Sequence, residues 1–127
     1  MMQSLPRLTY NRHVLLLKPK QPFLDWLVMT DPPPPSLTLD ELRDDVNTYL
    51  IPEFDLIEQA RKWVMQRWRW FFEEQLGDWL TDPDQWPEKR TPQVFRQFFD
   101  IEIHSMVFDV STKALEIEDW SDGDDEG

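Results

Sequence analysis

Four ionisable side chains of catalytic type lie in or beside apolar, strand-like runs of this 127-residue chain: His13, Glu102, His104 and Asp109. Glu102 and His104 are two positions apart, which on a strand sets them on one face, whereas Asp109 falls on the other. Two imidazoles and a carboxylate form a metal-ligand set, and a Glu beside a His can act as an acid–base pair. Completing that set with His13 requires the strand around residue 13 to pair with the strand around residue 104. The same pattern also describes the polar, solvent-facing side of a half-exposed sheet. That plainer reading is preferred, because the spacing follows no ligand motif.

Other chemistries are poorly provided for. Ser105 follows His104 directly, but adjacent strand positions face opposite ways and no Gly-x-Ser-x-Gly elbow surrounds it. Glycine occurs only at 77, 123 and 127, so the loops that bring backbone N–H groups to a phosphate are missing. The absence of Cys removes disulfides, thiolate nucleophiles and Cys-based metal sites. No cofactor is expected.

Aromatic and basic residues give a second set of candidates. Arg61 and Arg67 fall within an apolar helical arc, flanked by Trp63, Trp68, Trp70 and Phe71. They either line a groove where cations and aromatic faces receive an acidic or aromatic ligand, or lay their stems on the core and pair with carboxylates. The surplus of acids favours the second. Seven Trp is a high share for this length, and large aromatics anchor interfaces as well as cores. Trp79, Trp86 and Trp120 lie outside the regular elements and are the candidate partner-binding residues.

The elements that must position these groups are legible in part. His13, Val14, Leu15, Leu16 and Leu17, stopped by Pro19, read as a central strand over 13–17. Pro22 opens a short helix over 22–29, with Phe23, Trp26 and Leu27 on one face. The proline run 32–35 is a stiff connector; a polyproline ligand is the alternative. Thr38 and Glu41 form a capping box for a helix over 39–50, whose outer face carries Asp40, Glu41, Asp44 and Asp45. The longest helix spans 56–76, capped by Asp55 and closed by Gly77 in a left-handed conformation. Its apolar residues cover more than half of its circumference. Thr91 and Pro92 start a helix over 92–99. Strict alternation from Ile101 gives a strand over 101–110, and a hairpin partner follows over 114–118.

The expected fold class is therefore α+β: a sheet of about three mainly antiparallel strands (13–17, 101–110, 114–118) against four helices (22–29, 39–50, 56–76, 92–99). Residues 1–120 form one domain, and 121–127 an acidic, disordered tail. Residues 31–60 hold one basic and eight acidic side chains, and residues 100–127 one and ten, within a net charge of −12. This balance speaks against direct nucleic-acid binding, which relies on clustered Lys and Arg. No apolar run suits a membrane span or a signal-peptide core, and the chain reads as cytoplasmic. The leading functional expectation is a non-enzymatic protein–protein interaction or regulatory module using exposed Trp and an acidic surface. A second copy of the chain is among its candidate partners. The alternatives are a metal-assisted hydrolase using His13, Glu102 and His104, and an acidic nucleic-acid mimic.

Overall fold

The computed structural model describes residues 4–121. It shows an α+β arrangement of two antiparallel sheets and five α-helices. The larger sheet has the order β3-β2-β4, with β2 (Arg12–Pro19) at its centre, β3 (Thr48–Pro52) on one side and β4 (Phe99–His104) on the other. A small ribbon joins β1 (Leu8–Thr9) to β5 (Phe108–Asp109). The expected disordered tail lies outside the described residues, apart from Ser121. Among the described residues, no helix is long and apolar enough to cross a membrane.

Strand β2 shows why this sequence becomes the sheet centre. Its alternate residues His13, Leu15, Leu17 and Pro19 are buried, whereas Val14, Leu16 and Lys18 are half-buried. Both neighbours pair with it antiparallel, so directly opposite residues share a face. Leu15 lies between Tyr49 and Ile103 on the inner face, and Leu16 lies between Thr48 and Glu102 on the outer one. The helices cover the inner face.

Five Phe form the centre of the core: Phe23 from α1 (Gln21–Leu27), Phe72 from α4 (Trp68–Trp79), Phe95 and Phe98 from α5 (Pro92–Phe98), and Phe99 from β4. The Phe72 ring stands 5.6 Å from those of Phe95 and Phe98 and 6.1 Å from that of Phe99. Phe23 is 5.1 Å from Phe99. Such tilted and edge-on pairs add about 0.5–1.5 kcal/mol each beyond area burial. Two helix starts follow the sequence cues. The Glu41 N–H donates to Thr38 Oγ1 (3.1 Å) and the Thr38 N–H to Glu41 Oε1 (2.8 Å), closing the capping box of α2 (Leu39–Asp44). The Val94 N–H donates to Thr91 Oγ1 (3.1 Å) at the head of α5.

Four expectations are corrected. The helix begun at Thr38 ends at Asp44 rather than at residue 50, and Thr48–Pro52 is a strand. Asp44 and Asp45 place negative charge at a helix C-terminus, where the dipole disfavours it, while Thr48, Tyr49 and Ile51 suit a pleated surface. The helix read over 56–76 is two: α3 (Ile57–Gln66) and α4, separated at Arg67. The break allows Ala60 and Val64 to bury one narrow face, and Phe71, Phe72 and Leu76 another. Its first cap is Leu56, whose N–H donates to Gln59 Oε1 (3.0 Å), and Gly77 lies inside α4 without left-handed backbone. The strand read over 101–110 stops at His104, and Phe108–Asp109 pairs with β1 instead. Residues 114–118 pair with nothing in a sheet and are exposed, so the expected hairpin is not formed.

Truncating the ring at the middle of the Phe cluster removes its contacts to α5 and β4. Phe72→Ala is expected to lower the unfolding free energy by about 3–5 kcal/mol in urea denaturation. Thr38→Ala, which leaves the capping box half-made, should cost about 1 kcal/mol. Equal effects of the two substitutions would contradict the placement of Phe72 at the core centre.

Candidate functional site

The register of β2 separates the three residues of the expected metal or acid–base site. His13 is opposite Ile51 on the inner face and is 3% exposed. Glu102 and His104 are opposite Leu16 and Val14 on the outer face. The sheet lies between them. Among the described residues, no group of three or more His, Cys, Asp or Glu side chains is placed to hold a metal ion. His13 is instead a core residue: its Nε2 accepts from the Phe54 N–H at 3.4 Å, and its ring meets the Phe54 ring edge-on at 6.2 Å. Its Nδ1 has no hydrogen-bond partner. Asp109 also leaves the set, because it accepts a hydrogen bond from the Tyr10 hydroxyl (3.0 Å) across the small ribbon.

Glu102 and His104 do meet, as their two-residue spacing requires. His104 Nε2 is 3.2 Å from Glu102 Oε2, and Lys18 Nζ is 3.7 Å from the same oxygen. The hydrogen bond from His104, helped by the Lys18 charge, holds the Glu102 carboxyl below the usual carboxylate range. The imidazole is 59% exposed on the open side of the sheet. Water therefore surrounds it where an acid–base catalyst would face substrate. This trio laces β2 to β4.

The aromatic and basic candidates divide more usefully. Arg61 donates to the Ile101 carbonyl at 3.0 Å and so ties α3 to the edge of β4. Trp86 is half-buried, and its indole N–H donates to the Leu80 carbonyl (2.8 Å), closing the loop after α4. Arg67 differs: at the break between α3 and α4 it donates to the Trp63 carbonyl (3.1 Å) and lies over the Trp63 ring at 4.2 Å. Trp63, Arg67, Trp70 and Phe71 line an almost wholly apolar groove of about 380 Å³. Trp70 is 56% exposed and crosses Phe71 edge-on at 5.1 Å.

Trp79 and Trp120 are brought together. They border one cleft of about 440 Å³ with Leu42, Asp45, Gln75 and Asp78. Trp120 also borders a notch with Trp70 and Glu74. The flank of α4 thus carries a discontinuous run of indoles, with carboxylates from the turn after α2 and from α4 beside them. Beneath it, the Gln75 amide donates to the Tyr49 hydroxyl (2.9 Å), and burial pushes the Tyr49 phenol above its ordinary range. The sequence reads Trp63, Trp70 and Phe71 as flanks of a candidate groove around Arg61 and Arg67; Arg67 lines a groove with them, whereas Arg61 bonds to the edge of β4.

No protein-family model matches this chain, and neither a curated protein nor a solved structure is significantly similar to it. The function has to be argued from this surface itself.

The Glu102 shift has a definite sign. A carboxyl held lower in the folded state than in the unfolded chain stabilises the fold above the ordinary Glu pKa of about 4.3, and the effect disappears as pH falls through the folded value. Wild type should therefore exceed Glu102→Gln in urea midpoint at pH 7, with the gap closing in acid. A gap that is constant with pH would show that the ionised carboxylate is not what holds β2 to β4 here.

Proposed function

We propose that this protein is a non-enzymatic interaction module, acting in the cytoplasm, that binds another protein through the indole-lined flank of α4. The observation that carries the reading is the meeting of Trp79 and Trp120 at one cleft, with Trp70 exposed beside Trp120. Trp70, Trp79 and Trp120 are 56%, 41% and 84% exposed. Large aromatics held on a rigid helix bury much area at low entropic cost, as interface anchors do. The cytoplasmic placement rests on the lack of Cys.

Acidic mimicry of nucleic acid is a second reading, supported by the same cleft. Asp45, beyond the acidic α2, and Asp78 border it together with Trp120 of the acidic C-terminal segment. A mimic needs its anionic stretches on one side of the molecule, and the cleft shared by Asp45, Asp78 and Trp120 supports that arrangement. Its partner would be a basic, nucleic-acid-binding protein.

Photo-crosslinking from position 74, between Trp70 and the cleft, tests both readings. One defined protein should be captured by wild type and lost with Trp79→Ala/Trp120→Ala, the fold being checked by circular dichroism. Capture that survives high salt supports anchoring by Trp, whereas capture abolished by salt supports the mimic. Capture unaffected by the double substitution would remove the flank of α4 from the function.

A further inference from the structure

We propose that the groove of Trp63, Arg67, Trp70 and Phe71 receives the C-terminal segment 114–118 of a second copy of this chain. The inference rests on the partner-binding reading above and gives that surface a specific occupant.

The groove is the most apolar hollow among those described for this surface, and Arg67 is its one charged lining residue. Arg67 stacks on Trp63, and Arg69 lies over Trp68 at 5.2 Å. Lys62 is exposed on the preceding helix. Lys62, Arg67 and Arg69 thus fall close together in sequence around the break between α3 and α4, in a chain of net charge −12. The groove calls for a ligand that is apolar on one side and acidic on the other.

The segment 114–118 has that chemistry. Leu115 and Ile117 are 62% and 87% exposed, and they are interleaved with Glu116 and Glu118. Alternation in an extended backbone puts Leu115 and Ile117 on one side and Glu116 and Glu118 on the other. The apolar side matches the indole walls, and the acids match Arg67 and Arg69. In its own copy the segment makes no sheet pairing. Trp120 beyond it rests in the notch on the Glu74 side of Trp70, which leaves the groove open. A second copy brings the missing half. In a two-fold dimer each groove takes the other's segment, so every contact is made twice.

Charge exchange in the full-length chain tests this by sedimentation equilibrium from micromolar to sub-millimolar protein. Wild type should associate to a dimer. Arg67→Glu/Arg69→Glu and Glu116→Lys/Glu118→Lys should each weaken association by about tenfold or more. An equimolar mixture of the two should restore the dimer, because each altered groove then meets a complementary segment; misfolded variants could not be rescued in this way. A monomeric wild type, or a dimer indifferent to both exchanges, overturns the proposal. So does a change in Trp fluorescence without a change in mass, which would place the segment in the groove of its own copy. None of these failures touches the crosslinking result at position 74, so the general partner-binding reading stands or falls separately.

Discussion

The double pairing of β2 is the constraint from which the placement of every candidate group follows. A strand with neighbours on both edges cannot rotate about its axis without breaking two ladders, so its alternation is imposed on both neighbours. Leu15 and Leu17 face the helices, which commits Ile51, Ile101 and Ile103 to the same side. His13 goes inward with them, and Glu102 and His104 go outward with Leu16 and Val14. One register thus turns an imidazole pair that is suggestive in sequence into a core residue and a surface residue.

The second determinant is how much aromatic volume the inner face must accommodate. Phe23, Phe72, Phe95, Phe98 and Phe99 fill the space between the sheet and α1, α4 and α5. A straight helix from 56 to 76 would have to offer its apolar arc to one layer. Breaking it at Arg67 gives two shorter helices with separate buried faces. The break leaves Trp70 on the outside and sets Arg67 against Trp63. The groove is a by-product of solving the core.

Features written in short-range chemistry were legible in the sequence. The capping box of Thr38 and Glu41, the cap at Thr91 followed by Pro92 and the α+β class appear as read, and the central strand read over 13–17 is present but extends over Arg12–Pro19. What failed depended on partners distant in the chain. Residues 114–118 alternate as a strand should but find no neighbour, whereas Thr48–Pro52 continues a helical spacing and is nevertheless drawn into β3 by pairing with β2. Asp44, Asp45 and Asn47 were the available warning, since these residues favour helix ends and turns over a helix interior. The same limit applies to the candidate sites. Spacing placed Glu102 beside His104, but only the strand register could say where His13 lies. Trp79 and Trp120 meet because a C-terminal segment crosses α4, which no local pattern encodes.

The hydrogen bond from Arg61 to the Ile101 carbonyl bears on how the molecule behaves when crowded. Unpaired strand edges are templates for fibril growth, and natural sheets block them with charge, proline or a covering helix. Here α3 lies along β4 with Arg61 occupying an edge carbonyl, and β4 itself displays Asp100 and Glu102. At the opposite edge, β3 ends in Pro52, which has no N–H to offer an incoming strand. Both margins of the sheet therefore carry features that hinder edge-to-edge strand addition in a chain rich in Phe and Trp.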